Sequence, residues 1–153
     1  MAEQSNACEQ MPDLIPSIVV RDPRETLQWF EKLGFRTVMA MPMPDGTIAH
    51  AHVARRNAHI MFGPDGCAQV KLQPGSVWLY VNVDEDVDAL CERVRQDGVE
   101  VSQEPTDQFW GDRTFEVTHP DGYKLTLYQH VRDVSMEEMQ QAMNDWAAAA
   151  VPA

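Results

Sequence analysis

Apolar and polar positions alternate along this chain in two successive rounds. The run Leu14-Ile15-Pro16-Ser17-Ile18-Val19-Val20 is short and β-branched, the pattern of a strand. Pro16 requires a place in it where no ladder donor is needed. Asp22-Pro23-Arg24-Glu25 then starts a helix: Asp22 suits the cap, Pro23 the first helical position, and Glu25 can reach back to the cap. That helix runs through Leu27 and Phe30 to Leu33, and Gly34 is its stop. Strands are predicted over residues 35–41, 47–55 and 58–62, with Pro44-Asp45-Gly46 and Arg56-Asn57 as turns. Pro64-Asp65-Gly66 closes the round.

The same order then returns. Residues 77–83 read as a strand, and Asp84 or Asp86 caps a helix. The apolar face of that helix is Val87, Leu90, Cys91 and Val94, at i, i+3, i+4, i+7 spacing. Gly98 ends it, and strands over 99–103, 113–118 and 124–129 follow, with His119-Pro120-Asp121-Gly122 turning between the last two. Ser135-Met136-Glu137-Glu138 is a capping box that opens a third helix. Met136, Met139, Met143 and Trp146 share one side of it, a face expected to dock on the chain's own body, the more ordinary reading, or on a partner subunit.

The pattern therefore predicts an α+β fold of two tandem βαβββ modules, residues 14–66 and 76–130. A loose arm over 1–13 precedes them and a helical extension over 131–153 follows. One module is a curved sheet with a helix on one face and the other face bare. Two modules side by side are expected to form a cupped mixed sheet around a shared cavity.

Alternation assigns side chains to faces. Val77, Leu79, Val81 and Val83 are aliphatic and suit the helix side; Trp78, Tyr80 and Asn82 point the other way. In the last strand Leu125 and Leu127 take the helix side and Thr126 and Tyr128 the opposite one. Ser17 and Met61 are assigned to the same lining. Trp110, in the loop Gln108-Phe109-Trp110-Gly111-Asp112-Arg113, is expected to fold over as a wall, with Asp112 and Arg113 paired to hold the loop. The expected ligand-binding set is thus Ser17, Met61, Trp78, Tyr80, Asn82, Trp110, Thr126 and Tyr128. Aromatic faces with a few neutral polar groups suit a flat organic ligand; the plainer reading is a second hydrophobic layer on the sheet.

Composition narrows the classes. The chain has 153 residues, 44% hydrophobic and 24% charged, with 12 Lys plus Arg against 24 Asp plus Glu and a net charge of -12. Phosphate backbones are repelled by such a chain, so no nucleic acid partner is expected, and no apolar run is long enough to predict a membrane span. Cys8, Cys67 and Cys91 form no C-x-x-C pair, and no leader opens the chain, which suggests a cytoplasmic protein with reduced thiols. There is no G-x-S-x-G elbow and no glycine-rich phosphate loop.

The stretch Phe109-Trp110-Gly111-Asp112-Arg113-Thr114, with His119-Pro120-Asp121-Gly122-Tyr123-Lys124-Leu125-Thr126-Leu127, resembles the closing segment of the glyoxalase/bleomycin-resistance (vicinal oxygen chelate) superfamily. Val19-Val20-Arg21-Asp22, Trp29-Phe30 and Leu33-Gly34-Phe35 resemble its opening helix region, and the tail over 129–139 resembles a glyoxalase-like subgroup. Metal-using members place a ligand, usually His or Glu, on the first and last strand of each module. The resemblance puts those positions at Ile15, Met61, Trp78 and Thr126, none of which is a strong ligand for a hard or borderline divalent cation.

The expected protein is therefore a metal-free binding protein of the bleomycin-resistance type. It would hold an antibiotic-like planar ligand, with no cofactor and with the homodimeric state that the resemblance implies. The alternative is a metal-dependent lyase, isomerase or dioxygenase with a relocated divalent site. His50 and His52, two apart on one strand face, and Glu116 are its candidate ligands.

Overall fold

The structure, a computed structural model, describes residues 11–66 and 70–150. Most of the expected N-terminal arm, with Cys8, lies outside them, as do Cys67 and residues 151–153. The chain divides into two compact units, Met1–Leu72 and Gln73–Ala153.

The first unit runs β1 (Ser17–Val20), α1 (Pro23–Lys32), β2 (Arg36–Pro42), β3 (Ile48–Arg55) and β4 (Ala58–Pro64). Its four-stranded sheet has the order β1-β4-β3-β2. β1 lies parallel to β4 and the other pairs are antiparallel. β1 begins at Ser17, three residues later than expected, just past the Pro16 that cannot donate to a ladder. The Asp22 carboxylate caps α1, accepting from the backbone N–H groups of Arg24 and Glu25 at 3.0 and 3.3 Å. α1 packs Phe30 against the sheet, where it stacks on Phe62 at 5.6 Å and meets Phe35 edge-on at 5.1 Å. Phe30, Leu33, Val20, Val53 and Phe62 are fully buried. Each such side chain contributes on the order of 1.5–3 kcal/mol by leaving water.

The second unit repeats the order with β5 (Trp78–Asn82), α2 (Val87–Gln96), β6 (Glu100–Asp107), β7 (Asp112–Thr118) and β8 (Lys124–His130). Its mixed sheet is β5-β8-β7-β6, with β5 parallel to β8. α2 buries Val87, Leu90, Cys91 and Val94, the face read from their spacing. Val81, Val83, Phe115, Val117, Leu125 and Leu127 are also buried. Asp86 is the cap, accepting from Asp88 and Ala89. Asp84 instead takes a left-handed φ of 49° and donates its N–H to Asn82 Oδ1. β6 extends to Asp107, four residues beyond the expected end. It carries Pro105 inside an irregular stretch of ladder between Gln103 and Thr106, which an edge strand tolerates.

α3 (Met136–Ala150) starts as expected, with Ser135 Oγ accepting from the Glu138 N–H at 3.1 Å. The expected docking on the chain's own body is corrected: α3 buries no residue, and Met136 and Trp146 are 74% and 67% exposed. Among the described residues, no helix is long and apolar enough to cross a membrane.

Candidate functional site

On the second unit's sheet, side chains at even positions of β5, β7 and β8 share the face away from α2. Trp78 and Tyr80 come from β5, Thr114 and Glu116 from β7, and Lys124 and Thr126 from β8. With Gln103 of β6 and Gln108 and Trp110 of the following loop, they line a recess of about 440 Å³. Thr114, Glu116 and Thr126 are buried on the two central strands, while Trp78 and Tyr80 are 67% and 42% exposed on the edge strand.

Hydrogen bonds fix the aromatic walls. Trp78 Nε1 donates to Thr126 Oγ1 at 2.8 Å. Tyr80 donates its phenol proton to Asp112 Oδ2 at 2.7 Å and stacks on Tyr128 at 4.3 Å. Trp110 Nε1 donates to both the Tyr80 hydroxyl, at 2.9 Å, and Asp112 Oδ2, at 3.1 Å. Burial pushes the Tyr80 hydroxyl well above its ordinary pKa, as does the bond to Asp112, so the phenol stays a donor. Asp112 Oδ1 accepts from His130 Nδ1 at 2.9 Å, and His130 Nε2 donates to Asp133 at 2.8 Å. The bonds to Asp112 and then Asp133 raise the His130 pKa.

The loop reaches this position through Gly111. Its φ is 102°, and a Cβ there would lie 2.0 Å from the Arg132 carbonyl oxygen. The Gly111 carbonyl in turn accepts from the N–H groups of Val131 and Arg132. The expected Asp112–Arg113 pair does not form. β7 starts at Asp112, so the two side chains leave on opposite faces; Arg113 crosses to Asp88 of α2 at 2.6 Å and to Asp107 at 3.0 Å.

Of the eight expected lining residues, Trp78, Tyr80, Trp110 and Thr126 come together at the recess. Tyr128 supports it from behind Tyr80, and Asn82 is engaged by the Asp84 backbone. Ser17 and Met61 are register partners in the first unit. Sequence reasoning missed Gln103, Gln108, Thr114 and Lys124, and named Glu116 only as a candidate metal ligand. The same alternation rule, applied to β7, selects Asp112, Thr114 and Glu116 together.

Of the fallback metal candidates, His52 is buried and bonds the buried His59, Nε2 to Nδ1 at 2.8 Å. His50 stands two residues along the same strand. Burial lowers both pKa values, followed by the neighbouring His59, His50 and Arg36 charges for His52 and by Arg36 for His59. Glu116 belongs to the other unit, where its Oε1 accepts from Ser102 and Lys124. Among the described residues, no three His, Cys, Asp or Glu side chains stand together as a group able to hold a metal ion. A larger recess of about 820 Å³ lies in the first unit, around Arg21, Arg24 and the Asp45-Gly46 turn, and none of the described residues that line it is aromatic.

Residues 14–127 match the Glyoxalase/Bleomycin resistance protein/Dioxygenase superfamily. The chain belongs to that superfamily. It is similar to an uncharacterized protein of Mycobacterium bovis, 32% identical over 142 residues, which cover 87% of this chain and 93% of the relative. Among solved structures it resembles TioX from Micromonospora sp. ML1, at 25% identity and a TM-score of 0.65 over 77% of this chain and 98% of that one. It also resembles a glyoxalase/bleomycin resistance protein from Streptomyces sp. CB03234, at 28% identity and a TM-score of 0.59 over 75% and 97%.

The positions matched to the superfamily's metal ligands can be tested by their donor chemistry. Trp78 and Thr126 are neighbours, but the indole N–H is a donor only and is spent on the threonine hydroxyl. Met61 is a thioether and Ile15 a hydrocarbon. This set does not fit a hard or borderline divalent cation.

Proposed function

We propose that this protein binds a planar, antibiotic-like organic molecule in the second unit's recess without a metal, as a sequestering protein of the bleomycin-resistance type. The observation that carries the reading is the locked aromatic lining. Trp78, Tyr80 and Trp110 each spend their polar atom on a fixed partner and offer ring surface beside a 440 Å³ opening. Preorganised rings lose little side-chain freedom on binding, so stacking is offset by less ordering cost. The reading includes a homodimer, which light scattering tests, and a cytoplasmic location, which suits the buried free thiol of Cys91.

The test is a calorimetric titration with acridine, with and without EDTA, alongside elemental analysis of the purified protein. Binding that survives EDTA and weakens about tenfold in Trp78→Ala is expected. Failure of the metal-free protein to bind acridine and its cationic analogues alike sinks the reading. The competing metal-dependent lyase, isomerase or dioxygenase predicts a stoichiometric divalent metal that is lost on replacing His50 or His52.

A further inference from the structure

Among the described residues, Glu116 is the one carboxylate in the recess lining, and it is 8% exposed. Both hydrogen bonds it accepts, from Ser102 Oγ and Lys124 Nζ, each at 2.8 Å, fall on Oε1. Oε2 accepts nothing from the described residues. No enclosed side-chain nitrogen or oxygen among those residues lacks a partner, so Oε2 is not enclosed: it opens on the recess that Glu116 lines. A second carboxylate, Asp112, stands behind the aromatic wall, but its oxygens are taken by Tyr80, Trp110 and His130. Thr126 and Thr114 already accept from Trp78 and Gln108. The recess therefore has one carboxylate oxygen to offer, Glu116 Oε2; the other polar groups of its described lining are neutral hydroxyls and amides, which accept more weakly, and the Lys124 ammonium, which only donates. Lys124 neutralises part of its charge from a half-exposed position, and leaves Oε2 uncovered.

We infer that Glu116 selects the ligand's chemical class: a planar heteroaromatic cation carrying an N–H donor, whose ring stacks against the aromatic wall while its N–H group bonds Glu116 Oε2. This rests on the metal-free binding reading above. A carboxylate already drawn out of bulk water gains more from a charged donor than a solvated one does, and a ring without an N–H donor would leave its Oε2 unbonded.

Three planar compounds of similar outline separate the contributions. Proflavine is cationic with N–H donors, N-methylacridinium is cationic without them, and acridine is neutral at mildly alkaline pH. Calorimetry is expected to rank proflavine over acridine by about tenfold or more, with N-methylacridinium between them. Glu116→Gln should bring the proflavine-to-acridine ratio close to one. Lys124→Met, which removes the competing ammonium, should raise it, and keeps the test open should Glu116→Gln fail to fold. Equal affinity for proflavine and acridine, or a ratio unmoved by Glu116→Gln or by Lys124→Met, overturns the role of Glu116 while leaving ring binding intact. N-methylacridinium equal to proflavine overturns the hydrogen bond to Oε2. A recess that takes none of the three overturns the metal-free reading itself.

Discussion

Asp112 accepts three side-chain hydrogen bonds from three different places in the second unit: Tyr80 on β5, Trp110 in the loop and His130 at the end of β8. An asparagine there could accept through one oxygen only, and would aim an N–H group at a donor. Asp112→Asn is therefore expected to cost about 1–3 kcal/mol in urea unfolding. It should also shift Trp110 emission to the red and lower the His130 pKa toward the ordinary 6.5, which a histidine proton NMR titration reads. An unchanged His130 titration would show that the carboxylate does not govern that ring. Gly111 holds the same cluster by shape. In Gly111→Ala the new methyl meets the Arg132 carbonyl at 2.0 Å with φ held at 102°, a left-handed value. The expected loss is about 2 kcal/mol or more, measured as a lower urea midpoint, with Trp110 emission changed in the folded state.

At the scale of elements, the two helices show what could be read from the chain and what could not. Asp22 is followed by proline and stands alone, so its capping role was legible. At α2 two aspartates compete, and the choice depends on Asn82. Its side chain captures the Asp84 N–H and turns that residue to φ 49°, leaving Asp86 to cap. Asp86→Ala should cost about 1 kcal/mol, whereas Asp84→Gly, which suits a left-handed backbone, should cost clearly less. Midpoints from chemical unfolding compare them, and the reverse order would reassign the cap. The helix-facing stripe of α2 and the aromatic face of β5 were legible because each follows one period throughout. The floor of the recess was not, since Glu116 and Lys124 are charged residues in a strand, and only the pairing of β7 with β8 brings them to the face of Trp78. The Asp112–Arg113 expectation failed for a related reason. Adjacency in sequence suggests contact, but a strand sends neighbours to opposite faces.

The cross-strand pair His52–His59 sets a pH dependence opposite to that of His130. Both imidazoles are buried with lowered pKa values, so the folded state holds them neutral more firmly than the unfolded chain does. The stability they add is present above the unfolded value near 6.5 and is lost as pH falls through the folded one. His119, lowered by burial, adds to the same trend. His130 is raised, so its contribution is full below 6.5 and is lost as pH rises through its folded value. Its half-exposed position makes that contribution the smaller. The urea midpoint should therefore fall on acidification below about pH 6.5, and His59→Gln should flatten that limb. A midpoint that rises there would mean the pair is charged in the folded protein.

Across the whole molecule, charge acts without reference to either recess. With 24 acidic against 12 basic side chains, a dozen carboxylates remain unmatched even if every lysine and arginine pairs once. Folding concentrates that excess, so repulsion opposes the compact state, while exposed pairs such as Arg93–Glu85 and Arg95–Glu92 each return at most about 1 kcal/mol. Salt screens both, over a distance near 10 Å at 0.1 M. The unmatched excess acts over longer distances than the contacts within pairs, so it is screened more completely. Adding sodium chloride at neutral pH is then expected to raise the urea midpoint. The same salt should weaken proflavine binding more than acridine binding, because only the cation is drawn by the negative field. A midpoint that falls with salt would mean that the specific ion pairs, Arg113 with Asp88 and Asp107 foremost, outweigh the net charge.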